Sequence, residues 1–142
     1  MNRKFLSFTV LNETYLIDVE HTVEIVKHRE VTPVPGSDPD VLGLAYLRQR
    51  PVVIVDFTQY LSDQLKPDPE EGCFILLEYK GHQKAILVDD VGGIVDIDES
   101  SRETSPVTVP EGQRMVSHVI QSDEGLLQEI DVDKLFINTI DN

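Results

Sequence analysis

Apolar residues along this chain recur mainly with a period of two or in short β-branched runs, and only two segments carry a helical period. The chain therefore reads as mostly sheet. Phe5-Leu6-Ser7-Phe8-Thr9-Val10 is a first strand, Asn12 with Glu13 supplies a turn, and Tyr15-Leu16-Ile17-Asp18-Val19 returns as a hairpin partner. Val23 to His28 predicts a third strand. Thr32 to Pro39, with three prolines and a glycine, predicts a loop, since proline cannot donate to a ladder.

Val41 to Leu47 and Pro51 to Val55 predict a second hairpin with Arg48-Gln49-Arg50 at its tip. Asp56 is placed to cap a short helix, Phe57 to Leu61, whose Phe57, Tyr60 and Leu61 share a face. The polar, proline-bearing Lys66 to Gly72 marks the internal boundary. Phe74 to Tyr79 and Ala85 to Val88 then flank Lys80-Gly81-His82, a three-residue connection, and Gly92-Gly93 predicts a bulge or sharp bend before Ile94-Val95. Residues 98–113 have no apolar period and predict an exposed loop. Val116 to Ile120 and Leu126 to Ile130 form a last hairpin, and Asp131 caps a closing helix with Val132, Leu135 and Phe136 on one face.

About ten short strands do not suit one flat sheet; two small packed barrels hide the edges better. The expected architecture is a single all-β domain over residues 1–142. Its subdomains are expected at about 12–65 and about 70–138, with the N-terminal strand available to either. No repeat of 20 to 50 residues indicates a propeller or solenoid.

Composition narrows the function classes. With 142 residues, 40% apolar and 27% charged, the chain can bury a core without staples and is too hydrophobic for a disordered segment. Net charge is −14, from 26 acidic against 12 basic residues, a field that repels phosphate backbones and argues against a nucleic-acid partner. The plain meaning of that charge is solubility; the sharper one is an acidic face that meets basic proteins. The lone Cys73 cannot form an internal disulfide, and Met1 to Phe5 shows no secretory pattern, so a reducing cytoplasm is expected. No apolar stretch approaches the ~20 residues of a membrane span.

Catalytic motifs for acyl, phosphoryl, hydride or redox chemistry are missing, so neither an enzyme nor a cofactor is expected. His21, His28, His82 and His118 stand singly, without metal-pair spacing, and read as ordinary surface or strand histidines. Asp89 and Asp90 adjoin at a strand end, where side chains alternate faces; a turn explains them better than a metal or acid–base pair. Cys73 opens an apolar strand as a small buried residue.

Two segments are more particular: Pro33-Val34-Pro35-Gly36 followed by Val41 to Arg48 and Pro51 to Phe57, and Ala85 to Val91 followed by Ile94-Val95. In order and spacing they resemble the CheW family of bacterial chemotaxis adaptors. That family carries a proline-ended loop, a V-x-G-V/L strand, an N-L-R-G turn, a P-V-I-D-L strand and an L-V-D-x-V strand. Tyr15 to Val19, Val23-Glu24-Ile25, Leu127 to Asp131 and Leu135 extend the likeness over about residues 3–138.

The resemblance implies two five-stranded SH3-like barrels packed together, with short helices after the fifth strand and at the C-terminus. It also implies a non-enzymatic cytoplasmic scaffold, at arrays beneath the inner membrane, linking chemoreceptor tips to the regulatory domain of the histidine kinase CheA. Kinase and adaptor are expected to meet through barrel ends, and the receptor tip to lie in an apolar groove between barrels. Carried across by motif position, the protein-binding residues are Glu24, Ile25, Val41, Gly43 and Arg48. Arg48 at a hairpin tip presents a fixed fork of donors to a partner, against the simpler reading of a solvated turn charge. Barrel-core burial explains Ile25 and Val41 equally well.

The chain departs from the family at Tyr46, for the usual Asn, and Gln49, for the usual Gly. Glutamine adopts a positive φ only at a cost of ~1 kcal/mol. The alternatives are a tip remodelled for a different receptor or kinase, and a neutral change. Other functional readings are an adaptor of a pilus, developmental or second-messenger pathway, and a small-molecule-binding barrel, which needs an enclosed pocket with convergent polar groups.

Overall fold

The computed structural model describes residues 2–27, 30–36, 41–55, 71–100, 116–123 and 125–140. Its strands are β1 (Asn2–Val10), β2 (Glu13–Asp18), β3 (Thr22–Lys27), β4 (Val41–Leu47), β5 (Arg50–Val55), β6 (Cys73–Tyr79), β7 (His82–Val88), β8 (Asp90–Asp98), β9 (Val116–Ser122) and β10 (Gly125–Ile130); helix α1 (Val132–Ile140) closes the chain. The expected helix at Phe57 to Leu61, most of the 66–72 boundary, residues 101–113 of the expected loop and His28 lie outside the described residues.

Three hairpins close through two-residue turns in which both central residues have positive φ: Leu11-Asn12, Arg48-Gln49 and Lys80-Gly81. This geometry matches the right-handed strand twist and is preferred in tight hairpins. All three turns thereby differ from the expected ones by one residue: Arg50, expected at the tip of the second hairpin, pairs with Leu47 as the first residue of β5. Glu13 pairs with Val10 as the first residue of β2, and His82 pairs with Tyr79 as the first residue of β7.

The strands form two five-stranded sheets, in the orders β8-β1-β2-β10-β9 and β3-β6-β7-β5-β4. Each sheet is antiparallel except at one place. β10 runs parallel to β2, with Gln128 opposite Tyr15, and β5 runs parallel to β7, with Ile54 opposite Ala85. Both sheets therefore draw strands from either side of residue 70.

Apolar side chains fill three layers. One lies inside the first sheet (Phe5, Leu16, Ile97, Ile120, Leu127), and one inside the second (including Val26, Leu47, Ile54, Phe74, Leu76, Leu87). The third, between the sheets, joins Leu6, Phe8, Tyr15 and Ile17 to Ile75, Leu77, Ile86 and Val88, with Val132, Leu135 and Phe136 from α1. β6 shows why its sequence reads as an unbroken apolar run. Phe74 and Leu76 enter the inner layer while Cys73, Ile75 and Leu77 enter the intersheet layer, so neither face meets water. Full burial of a side chain such as Phe136 contributes about 2–3 kcal/mol.

Two sequence signals act as expected. Asp131 accepts the Lys134 N–H at 3.4 Å as the cap of α1, whose Lys84-bound Leu135 carbonyl (3.1 Å) ties the helix to β7. Gly92 is the extra residue where Ser7 faces Gly93 and Phe8 faces Val91, and a β-carbon there would lie 2.5 Å from the Ser7 hydroxyl. In the segment expected as a loop from Thr32 to Pro39, the described residues 32–36 contribute one bridge. Thr32 and Leu44 exchange two backbone hydrogen bonds of 2.8 Å.

Candidate functional site

β3 and β4 are the two edges of the second sheet. The sheet curls enough to bring them together, because the Arg48 Nε that follows β4 lies 3.8 Å from Glu24 Oε2 of β3. Two local features aim these side chains. In β3 the register shifts between Thr22 and Glu24, a bulge of the sort that redirects side chains at sheet edges, and Ile25 emerges 40% exposed although its partner Ile75 is fully buried. At the other edge, Leu47 pairs with Arg50, so Arg48 and Gln49 form the whole hairpin tip, at φ 54° and 64°.

Glu24, Ile25, Val26, Lys27, Arg48 and Gln49 line one open groove of about 410 Å³. The Arg48 and Glu24 side chains are 58% and 47% exposed, so water screens their attraction and the pair contributes at most about 1 kcal/mol. Its use is geometric: it holds a guanidinium, with donors to spare, at the lip of the groove.

The structure thus unites Glu24, Ile25 and Arg48 and separates them from the other two expected residues. Gly43 is buried, at φ 153°, beneath the Thr32–Pro33 backbone; a β-carbon on it would lie 2.2 Å from the Thr32 carbonyl oxygen. Its role is to admit that backbone, which pins the crossing segment to β4. Val41 is half-buried opposite Val55, before the bulge at Leu42, and does not reach the groove. The groove also contains Val26, Lys27 and Gln49, absent from the expected set. Gln49 was legible only as a departure from a glycine pattern, and Lys27 left no signal. Tyr46, on the outward face of β4, is 69% exposed.

A second depression, of about 300 Å³, opens at the seam between the first sheet, β6 and α1. Several of its polar groups are paired with one another or with neighbouring residues. Arg3 donates to Asp18 and lies 3.8 Å from Glu99, Asp18 also accepts the Glu20 N–H at 2.9 Å, and His118 Nδ1 lies 3.6 Å from buried Glu129. Ser117 donates to the Glu129 carbonyl at 3.4 Å. The residues come from separate elements spread between β1 and α1, so no linear motif announces them. Among the described residues, no group of three or more His, Cys, Asp or Glu side chains is placed to hold a metal ion.

Asp89 sits between β7 and β8, and Asp90 opens β8. Asp89 accepts the Leu11 N–H at 2.7 Å and donates its own N–H to the Thr9 carbonyl at 2.9 Å, clasping the first hairpin turn.

Two packed five-stranded sheets, curled so that an arginine-tipped hairpin meets the opposite edge strand, define an all-β two-sheet domain. The chain belongs to the CheW-like domain family, whose model matches residues 4–139. It is 25% identical over 129 residues to the chemotaxis protein CheW of Bacillus subtilis (strain 168), covering 90% of this chain and 83% of that one. It is 25% identical over 130 residues to the chemotaxis protein CheW of Thermotoga maritima, covering 92% and 85%. The crystal structure of the scaffolding protein TtCheW from Thermoanaerobacter tengcongensis superposes with a TM-score of 0.80 at 23% identity, covering 92% of this chain and 89% of that one. The expected all-β architecture of two packed five-stranded units is observed, as two five-stranded sheets.

Proposed function

We propose that this chain is a non-enzymatic adaptor that couples chemoreceptors to the histidine kinase CheA, acting in the cytoplasm at receptor arrays. Family membership over nearly the whole length and relatives named as chemotaxis proteins support the reading. Among the described residues, no helix is long and apolar enough to cross a membrane. The observation that carries the site is the exposed Arg48–Glu24 pair at the rim of a groove that also exposes Ile25. An apolar residue beside a presented guanidinium is the composition of an interface anchor.

In this reading the kinase regulatory domain docks on the Arg48 end of the second sheet, and the receptor tip occupies a different face. Two contacts per adaptor, repeated across an array, give avidity that neither contact has alone. The test is calorimetric titration of the kinase regulatory domain into the natural chain and into Arg48→Glu, with thermal melts of both. The variant should melt within a degree or so of the natural chain and lose about 2 kcal/mol or more of binding, as an exposed hot spot does. Normal binding, or a variant that unfolds, removes Arg48 from the site.

A further inference from the structure

The hairpin turn that carries Arg48 is strained in a way that the two similar turns are not. At Lys80-Gly81 the second left-handed position, φ 84°, is held by glycine, and a β-carbon there would meet nothing. At Leu11-Asn12 the second position is asparagine, which tolerates this region. Leu11 itself is secured by the rest of the fold: its side chain packs against the intersheet layer, and its N–H donates to Asp89 at 2.7 Å. At Arg48-Gln49 both residues are long side chains in the left-handed region, at φ 54° and 64°. Both are exposed, and neither enters any of the three apolar layers.

L-residues with a β-carbon are sterically penalised in this conformation, and glycine is the natural occupant of such a turn. The fold itself therefore gains nothing from the Gln49 side chain. The two-residue hairpin imposes this conformation on whichever residue stands here, and residues held in such strained conformations cluster at functional sites. Gln49 lines the same groove as Arg48, Glu24 and Ile25. Its primary amide offers a donor and an acceptor together, the complement of a peptide group. Arg48 beside it offers donors only.

We infer that Gln49 is a specificity-determining residue of this groove, held in an unfavourable backbone conformation so that its amide meets main-chain N–H and C=O groups of the docked partner next to the Arg48 contact. The inference rests on the proposal that the kinase regulatory domain docks here. Such a contact reads an exposed loop or strand edge rather than a particular side chain, and Arg48 adds the demand for a nearby carboxylate or carbonyl.

Gln49→Gly removes the amide and relieves the turn, so stability and binding should move in opposite directions. The full-length variant should melt about 2–4 °C higher than the natural chain, the scale expected for relief of one strained residue in a chain of this size. It should bind the purified kinase regulatory domain about fivefold more weakly, the loss of one or two net hydrogen bonds. Gln49→Asn, which keeps an amide and tolerates the left-handed region, should bind more tightly than Gln49→Gly. A Gln49→Gly variant that binds as tightly as the natural chain overturns the inference, and so does one that melts lower. Arg48→Glu, titrated in parallel, keeps the two ideas apart. If it binds normally while Gln49→Gly is weakened, the Arg48 anchor fails and the Gln49 contact stands; if it fails to bind while Gln49→Gly binds fully, the reverse holds.

Discussion

Arg48 and Glu24 lie 3.8 Å apart although they belong to opposite edges of one five-stranded sheet, with three other strands between those edges. Curvature of the sheet brings the edges together, the β3 bulge and the hairpin tip aim the two side chains, and both remain exposed to water. The pair is therefore an orienting device more than a source of stability. Glu24→Gln should change unfolding free energy by less than about 1 kcal/mol, read by urea denaturation, because exposed ion pairs are screened. It should also weaken kinase-domain binding less than Arg48→Glu does. A Glu24→Gln variant that unfolds at room temperature would falsify this account.

Gly43 offers the opposite profile, large in stability and indirect in binding. Alanine there places a β-carbon 2.2 Å from the Thr32 carbonyl oxygen in a backbone conformation at φ 153° that side chains rarely adopt. Gly43→Ala should cost about 2–3 kcal/mol, by steric overlap and backbone strain acting together. Amide exchange at Thr32 and Leu44, whose mutual hydrogen bonds depend on the close approach, should quicken before exchange elsewhere in β4.

Tyr15 sets an alkaline limit. Burial, and after it the Glu13 carboxylate, pushes its phenol from 10.0 up to about 12. The unfolded phenol loses its proton near pH 10 while the folded one keeps it, so this contribution to stability is complete below pH 10 and is lost as pH rises toward 12. The loss should reach about 2–3 kcal/mol. Tyr15→Phe should flatten the decline between those pH values in a series of chemical denaturations; an unchanged slope would assign it to other groups.

Asp89 clasps the first hairpin turn through a 2.7 Å bond from the Leu11 N–H. Asp89→Ala should cost about 1 kcal/mol, the value of a charge-assisted bond in water-exposed surroundings, and Asp89→Asn, which retains an acceptor, should cost less. Equal costs for the two variants would mean that the accepted hydrogen bond is not what Asp89 contributes.

Cys73 is buried at the start of β6, and burial raises its thiol pKa, which disfavours the reactive thiolate. A thiol reagent at pH 8 should label the folded chain slowly and the urea-unfolded chain at the rate of a free thiol. Rapid labelling of the native chain would show that this end of β6 opens.

Local chemistry was legible along the chain. Alternation in β1, the Asp131 cap, the Gly92 bulge and the apolar face of Val132, Leu135 and Phe136 each depend on residues within a few positions of one another. Such neighbours are bound together by the chain itself, so their pattern survives in the sequence. The turns were located to within one residue, because the left-handed pairs Leu11-Asn12 and Lys80-Gly81 differ from their alternatives by a single step of register. For the site, motif order pointed to Glu24, Ile25 and Arg48, which meet in one groove, but also to Gly43, whose part is to receive the Thr32 backbone.

The sequence by itself determined that this protein is mostly strand, where those strands lie and which residues are apolar enough to be buried. Tertiary structure decided which strands became neighbours. The parallel pairings of β2 with β10 and β5 with β7 join segments far apart in the chain and follow from closing apolar faces into three layers, not from any local preference. The approach of Arg48 to Glu24 was decided in the same way, by curvature of a sheet that neither residue's neighbours encode. Side-chain period and turn chemistry are properties of a few consecutive residues; an edge-to-edge contact is a property of the whole packed sheet.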